Sequence, residues 1–221
     1  MLKVIIFIAP PGAGKGTQAE LIAKKFDLEH VETSKLGEDQ INNPELVKTD
    51  SEVAEAKRRY DSGDLFPPPW TAKLVIGKAR ESASAGRGMV FSGSPRTLYE
   101  AENEIPEFEK LYGRENIKIF YITLSEEESI RRNTSRRICE KNRHPIPGFP
   151  QYRDLVTCPE DGSLIITRSL DKPEIIKERY RVFLEETKPV LDYLKNNGYD
   201  VITIEGEQPI GMVQEDILKN F

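Results

Sequence analysis

The chain has 221 residues, 38% of them apolar, which is enough for one large domain with a full core, alone or with small insertions. Its net charge of -5 argues against a nucleic-acid partner, because surfaces that bind nucleic acids without sequence preference normally carry a basic excess. The apolar runs fall well short of the roughly 20 residues of a membrane-spanning helix, which argues against a membrane partner.

The first predicted elements are a strand, a loop and a helix. The continuous apolar run at residues 3–8 is typical of a strand buried on both faces, and a helical pattern follows through Leu21, Ile22 and Phe26. This start shows no cleavage site, so we expect a cytoplasmic protein. Further short apolar runs, with helical patterns between them, lie at residues 89–91, 117–122 and 199–204. The alternation predicts an α/β fold with a parallel sheet flanked by helices.

Two segments interrupt this alternation and predict insertions over the sheet. Residues from 33 to about 70 are helical and polar, whereas residues 138–167 are rich in Pro, Gly and charge and show no helical period. Because long loops inside compact domains are usually functional, the second segment is a candidate lid. We expect a single domain with a core at 1–31, 71–136 and 169–221, a helical insertion at 32–70 and a lid at 137–168.

The loop between the first strand and the first helix has the composition of a phosphate-binding loop. Its central residues are Gly12, Ala13, Gly14, Lys15, Gly16 and Thr17. Glycines let backbone N–H groups turn inward around phosphates, the helix N-terminus adds a positive dipole, and Lys15 supplies a point charge to the β and γ phosphates. A plain Gly/Pro turn is the alternative, but a lysine at this spacing between strand and helix favours nucleotide binding.

In this loop the chain resembles the adenylate kinase family, in which Gly and then Thr follow the lysine, as Gly16 and Thr17 do here. The family normally has Gly where Ala9 stands. The resemblance implies that Thr17 contacts a phosphate oxygen, and that Mg²⁺ is held by the phosphates of ATP and by water without a protein ligand in the loop. The residues that it implies for ATP binding are Gly12, Ala13, Gly14, Lys15, Gly16, Thr17, Arg132 and Arg136.

The second motif that carries the resemblance runs from Ser92 to Thr97 and is similar to the family's Asp-Gly-Phe-Pro-Arg-Thr. The resemblance implies that Arg96 grips the phosphate of the acceptor, beside Gly93, since a planar guanidinium suits a phosphate better than an ammonium does. Arginines that flank the lid are expected to close over the transferring phosphoryl group, where charge spreads over the equatorial oxygens. The catalytic residues are then Lys15, Arg96, Arg136, Arg168 and Arg179, with Arg136 and Arg168 at the transferring phosphate and Arg96 and Arg179 largely on the acceptor side.

The expected acceptor site departs from the family at several positions. Thr33 is expected to contact the acceptor base or sugar, and Arg168 and Arg179 reach the acceptor as well. Lys35 and Ser92 stand where the family has two aspartates that anchor water around Mg²⁺, and Glu38 stands where it has an acceptor-binding arginine. Lys35 is a candidate replacement for the positive charge lost at Glu38.

Glu100 stands where the family often has the glutamine that reads the adenine of the acceptor. A carboxylate only accepts hydrogen bonds, so it suits a base edge with two donors, as in guanine, better than the donor and acceptor of adenine. The alternative is that Glu100 begins an exposed helix and faces solvent. The acceptor base is therefore open at this point.

The two cysteines, Cys139 and Cys158, both lie in the predicted lid, where a disulfide framework is not expected. Some members of the family hold zinc there with Cys-x-x-Cys followed by Cys-x-x-Cys or Cys-x-x-Asp. Here Asn142 replaces one ligand, which leaves Cys139, Cys158 and Asp161, with His144 as the possible fourth. The alternative is a lid closed by hydrogen bonds, with the cysteines packed as small apolar residues.

The resemblance covers nearly the whole chain and implies reversible phosphoryl transfer from ATP to AMP, giving two ADP, with small-molecule nucleotides as partners. We expect a monomer, because the charged residues are of mixed sign and two insertions have to move. Two alternatives are open. The first is a kinase for another nucleoside monophosphate, such as GMP, CMP or UMP, which Glu38 and Glu100 suggest. The second is a nucleotide-binding module whose turnover is impaired by Lys35, Glu38 and Ser92.

Overall fold

The computed structural model of the protein describes residues 3–141, 144–146, 148, 152–167 and 171–221. Its strands are β1 (Val4–Ile8), β2 (Glu29–Val31), β3 (Met89–Phe91), β4 (Ile117–Thr123), β5 (Arg137–Cys139), β6 (Pro145–Ile146), β7 (Ile165–Ile166) and β8 (Val201–Glu205). Five of them form a parallel sheet in the order β2-β3-β1-β4-β8, and β6-β5-β7 form a small antiparallel sheet.

The helices cover both faces of the parallel sheet and fill the first predicted insertion. They are α1 (Lys15–Phe26), α2 (Thr33–Leu36), α3 (Glu38–Ile41), α4 (Pro44–Thr49), α5 (Ser51–Ser62), α6 (Pro68–Ser84), α7 (Leu98–Tyr112), α8 (Glu126–Ser135), α9 (Pro173–Val182), α10 (Lys188–Asn196) and α11 (Ile210–Leu218). Within the described ranges, none of these helices is both long and apolar enough to cross a membrane.

Strand β1 lies at the centre of the sheet and contributes side chains to two separate cores. Val4 and Ile6 pack on the face that is covered by α7 and α10, whereas Ile5 and Phe7 pack on the face that is covered by α1 and α11. All four side chains are at most 2% exposed. Successive side chains of a strand point to opposite faces, so a strand buried on both sides must be apolar throughout, and each such side chain stabilises the fold by roughly 1.5–3 kcal/mol. The predicted α/β fold is confirmed.

Two features of the fold were not predicted. Strand β2 pairs in parallel with β3, with Val31 opposite Phe91, but its three residues are too few and too mixed to show a strand pattern. The second predicted insertion contains short antiparallel pairings, with Arg137 opposite Ile146 and Cys139 opposite Ile165. These strands are two or three residues long, so the Pro and Gly content of the segment hides them.

The parallel arrangement brings the two sequence motifs together. β1 and β3 are hydrogen-bonded neighbours, with Ile6 opposite Phe91, and both run in the same direction. The loop after β1 leads to Lys15, and the segment after β3 contains Arg96. Ligands of open α/β sheets bind beyond the carboxyl ends of the strands, so the fold itself places both motifs at one edge.

Candidate active site

The phosphate loop is shaped by two glycines and is supported from behind by α8. Gly12 and Gly14 have φ values of 80° and 86°, a left-handed conformation that favours glycine. A Cβ on Gly12 would lie 2.5 Å from Nδ2 of Asn133, and the hydroxyl of Ser129 donates to the carbonyl of Pro11 at 2.7 Å. Among the residues that the structure describes, no side chain caps the N-terminus of α1, so its first N–H groups can bind an anion.

Lys15 lies within this loop and is surrounded by other cations. Its Nζ donates to the carbonyl oxygens of Ala9 at 3.0 Å and Pro10 at 3.3 Å. The pKa of Lys15 is lowered to about 7, first by burial and then by the positive charges of Arg96, Arg179 and Arg136, whereas the charge of Glu32 opposes this shift. This concentration of positive charge from distant parts of the chain is suited to a polyanion such as a nucleoside triphosphate.

Arg96 and Arg179 meet Lys15 at one pocket. The pocket is lined by Lys15, Gly93, Arg96 and Arg179, with Leu65 on the side of the helical insertion. Burial lowers the pKa of Arg96, against the opposing charges of carboxylates nearby. Phosphoryl transfer needs positioned cations of this kind around the transferring group.

Gly93 also brings the helical insertion into contact with the core. A Cβ at Gly93 would lie 2.8 Å from Oγ1 of Thr33, the first residue of α2, so the backbone approaches this side chain as only glycine allows. Thr33 is 4% exposed, and its buried hydroxyl has no hydrogen-bond partner within the described part of the chain. A buried hydroxyl normally has a partner, so Thr33 is available to a ligand beside Gly93.

Arg132 lies in the last turn of α8, and Arg136 directly follows this helix. Both side chains are bound by carboxylates. Nη2 of Arg136 donates to both oxygens of Asp171, at 2.8 and 2.9 Å, and the side chain of Asp171 is fully buried. Nε of Arg132 donates to Glu128 at 2.6 Å, and its Nη2 donates to the carbonyl of Gly206 at 2.9 Å. Arg168, which the resemblance implies for the same site, lies outside the described residues.

Lys35 and Glu38, the two residues of the helical insertion that depart from the family pattern, each contact another side chain. Lys35 is 53% exposed at its side chain and pairs with Glu32 at 3.1 Å. Glu38 accepts a hydrogen bond from the hydroxyl of Tyr60 at 3.2 Å. Lys35 therefore lies on the same side as Glu32, the carboxylate that faces Lys15, while Glu38 is turned to the neighbouring helix α5.

Ser92, at the end of β3, contacts a histidine. Its Oγ lies 2.8 Å from Nε2 of His30 on β2. Magnesium prefers oxygen ligands and keeps much of its water shell, and a serine hydroxyl is a weaker anchor for such water than a carboxylate is. Glu32 is a carboxylate whose charge reaches the phosphate loop, and a carboxylate is the kind of group that can hold water around magnesium.

Glu100 is buried, so the alternative that it faces solvent is wrong. It lies in the first turn of α7, which Thr97 caps by accepting from the Glu100 N–H, and it is 2% exposed. Its Oε2 accepts from the backbone N–H of Arg96 at 2.6 Å and from the hydroxyl of Ser94 at 3.0 Å. In this arrangement the carboxylate fixes the turn that carries Arg96.

The small antiparallel sheet brings Cys139, His144, Cys158 and Asp161 together. Their potential ligand atoms all lie within 4.8 Å of one another. Nδ1 of His144 is 3.4 Å from Sγ of Cys158 and 3.4 Å from Oδ2 of Asp161, and Sγ of Cys139 donates to the same oxygen at 3.3 Å. Tetrahedral ligands of zinc lie about 3.3 to 3.8 Å apart, so the donor set and the spacing fit that metal. Asn142 lies outside the described residues.

Sequence reasoning did not select three carboxyl groups at this site: Glu32, Glu104 and Asp171. Asp171 lies 35 positions after Arg136, and nothing local in the sequence connects the two. Glu32 directly precedes Thr33, which was a usable signal. Glu104 was detectable as a charged residue on the apolar face of α7, and it is 0% exposed.

A phosphate loop at the carboxyl edge of a parallel sheet, with arginines converging on its lysine, defines a nucleotide-dependent phosphotransferase of the P-loop class. The family model described as adenylate kinase matches residues 7–199. A protein named adenylate kinase from Caldanaerobacter subterraneus subsp. tengcongensis is 35% identical over 218 residues, which cover 97% of this chain and 94% of that protein. The chain belongs to the adenylate kinase family.

Two other relatives with the same printed name are similar over comparable lengths. The adenylate kinase of Kosmotoga olearia is 33% identical over 226 residues and 98% of each chain. That of Staphylococcus epidermidis is 33% identical over 218 residues, which cover 97% of this chain and 96% of the relative.

We expect the protein to take up a proton when it binds ATP at pH 8. The pKa of Lys15 is about 7 in the free protein, so the amine is mostly neutral at that pH, and the phosphates raise this pKa and charge it. Calorimetric titration in two buffers of different ionisation enthalpy measures the uptake. Lys15→Arg keeps the charge without titrating in this range and should show less uptake. Equal uptake in both proteins would contradict the assignment.

Proposed function

We propose that the protein catalyses the reversible transfer of the terminal phosphoryl group of ATP to AMP, giving two molecules of ADP. The observation that carries this proposal is the single pocket lined by Lys15, Arg96 and Arg179 beyond the carboxyl ends of β1 and β3. Membership in the adenylate kinase family supports the same reaction.

ATP occupies the phosphate loop in this proposal. Backbone N–H groups of the loop and of the first turn of α1 hold its phosphates, and Thr17 contacts a phosphate oxygen. Arg132, in the last turn of α8, and Arg136, directly after this helix, lie on the same side, and Ser129 of α8 supports the loop. Magnesium bound with ATP would supply positive charge that helps to neutralise the phosphates, and Glu32 would hold water around it.

AMP occupies the side formed by α2 and the segment after β3. Arg96 and Arg179 bind its phosphate, and Thr33 and Gly93 contact the nucleoside, since the hydroxyl of Thr33 lacks a protein partner in the described ranges. Lys35 adds positive charge at this side. Glu100 acts on the acceptor through the turn of Arg96 that it holds.

The chemistry asks for positioning and electrostatic stabilisation and asks little of a general base. Lys15, Arg96, Arg136 and Arg179 surround the phosphoryl group in flight, and Arg168 joins them from the lid. Water excluded by the closed lid cannot compete as an acceptor, which limits ATP hydrolysis. The division into a core, an insertion at 32–70 and a lid at 137–168 serves this cycle.

A single chain supplies every side chain named for the pocket, so we propose a monomer. The cytoplasmic location stays a prediction from the sequence. Neither property enters the reaction described above.

The proposed reaction is tested by measuring ADP formation from MgATP with AMP, GMP, CMP or UMP in turn. We expect AMP to be strongly preferred. A preference for another monophosphate would leave the phosphate-loop mechanism in place and overturn the acceptor. Absence of turnover with all four would favour a nucleotide-binding module.

Arg96→Ala should raise the KM for AMP or lower kcat by a factor of about ten or more, because a charge-assisted contact is worth roughly 1.5 to 3 kcal/mol. The matched control is Arg181→Ala on α9. Arg181 is 56% exposed and pairs with Glu178 and Glu185 on its own helical stretch, so its removal should leave both constants unchanged. Equal effects of the two substitutions would contradict the role of Arg96.

We propose further that Cys139, Cys158, Asp161 and Nδ1 of His144 hold a structural zinc ion in the lid. The cysteines are buried, and Nε2 of His144 faces Glu160 at 3.8 Å, a position for the outer partner that orients a metal-bound imidazole. A closed site of four protein ligands leaves no position for substrate, so the metal would stabilise the lid.

Zinc loading should raise the Tm by about 5–10 °C at a hundredfold excess of zinc over its Kd. Metal analysis should find one zinc per chain, and Cys139→Ala should lose both the metal and the shift. The contrary outcome is that protein prepared with zinc contains no metal and has the same Tm as protein without zinc. The lid would then be closed by hydrogen bonds alone.

A further inference from the structure

Two buried carboxyl groups lie directly behind the turn that carries Arg96. Glu100 and Glu104 are one turn apart on α7 and are 2% and 0% exposed. Both contact the hydroxyl of Ser94, which is itself 2% exposed. Oγ of Ser94 lies 3.0 Å from Oε2 of Glu100, and 2.6 and 2.8 Å from the two carboxyl oxygens of Glu104.

One hydroxyl group cannot donate to both carboxylates. Ser94 has a single O–H hydrogen, and its oxygen can otherwise only accept. If both acids were ionised, one of them would face the lone pairs of Ser94, and two negative charges would share a site without water. The short distances on both sides therefore favour an arrangement in which one of the two carboxyl groups carries a hydrogen.

The surroundings of the two acids decide which one is neutral. Burial raises the pKa of Glu100, but the backbone N–H of Arg96, which donates to it at 2.6 Å, and the charge of that arginine oppose this rise, so of the two acids Glu100 has the better support for its ionised form. Glu104 has Ser94 as its hydrogen-bond partner, and no cation of the described residues pairs with it. Burial raises the pKa of Glu104 well above its usual range, and the negative charge of Glu100 raises it further.

We propose that Glu104, kept as a neutral carboxylic acid, is a positioning residue for Arg96. The carboxylic acid O–H of Glu104 donates to Oγ of Ser94, and the hydroxyl of Ser94 donates to the carboxylate of Glu100. That carboxylate also accepts from the backbone N–H of Arg96. The inference rests on the proposed function in so far as Arg96 binds the acceptor phosphate.

The direction of this chain of hydrogen bonds gives it its effect. With a proton on Glu104, the hydroxyl of Ser94 is free to donate to Glu100. The side chains of Glu104, Ser94 and Glu100 then form a chain of hydrogen bonds that ends on the backbone N–H of Arg96. An ionised Glu104 would compete for that hydroxyl and would repel Glu100, so the carboxylate that holds the turn would lose one of its two donors. The acceptor side would be affected, while the phosphate loop has its own support from Ser129.

Infrared spectroscopy tests the protonation directly. We expect the carbonyl band of a protonated carboxylic acid in the wild-type protein near neutral pH, and its loss in Glu104→Gln. A wild-type spectrum without this band, or a band that persists in the variant, would overturn the proposal. This measurement does not depend on turnover, so a protein that shows the band but does not phosphorylate AMP would refute the proposed function alone.

Steady-state kinetics with a matched pair of variants tests the positioning. Glu104→Leu has a similar size but no donor, and we expect it to raise the KM for AMP about tenfold, whereas the amide of Glu104→Gln donates to Ser94 and should restore the KM to within about threefold. The KM for ATP should stay unchanged in both. An unchanged KM for AMP in the leucine variant, or an equal rise for AMP and ATP, would show a packing role only. If the leucine variant does not fold, a glutamine variant with a KM for AMP raised about tenfold would contradict the proposal.

Discussion

Repulsion among the cations at the phosphate loop is the constraint on which the rest of the site depends. Three arginines lie close enough to Lys15 to lower its pKa. Such an arrangement costs free energy without an anion, because like charges repel strongly where water is partly excluded. Asp171 offsets part of this cost at Arg136, and Glu32 offsets another part at Lys15. In the proposed reaction a phosphate group offsets the remainder, and the same side chains would serve binding and catalysis.

The carboxyl groups around this centre differ in what they do. Asp171 is fully buried and holds Arg136 through both of its oxygens, which fixes the guanidinium plane as well as its charge. Glu100 acts on a backbone N–H and therefore fixes the turn rather than the arginine head group. Removing Asp171 leaves the charge of Arg136 without its partner, whereas removing the carboxylate of Glu100 leaves the backbone N–H of Arg96 without an acceptor, and an unpaired group of either kind costs more than the interaction itself contributes.

The features that could be predicted from the sequence are encoded locally. Each of these signals, the apolar run of β1, the glycines before Lys15 and the segment around Arg96, is contained in a few consecutive residues. The parallel sheet then brings the separate segments together. The partner of Arg136 could not be predicted, because Asp171 is distant in sequence and only the packing of α8 and the segment before α9 brings the two together. Strand β2 was missed because three residues carry too little pattern.

The alternating burial of β1 has a consequence for how this chain can change. Val4 and Ile6 belong to one core, and Ile5 and Phe7 belong to the other. The gain or loss of one residue in β1 would exchange these side chains between two layers of different shape, and it would also displace Lys15 relative to the neighbouring strands. Substitutions of single apolar residues in β1 are therefore compatible with the fold, whereas insertions and deletions within this strand are not.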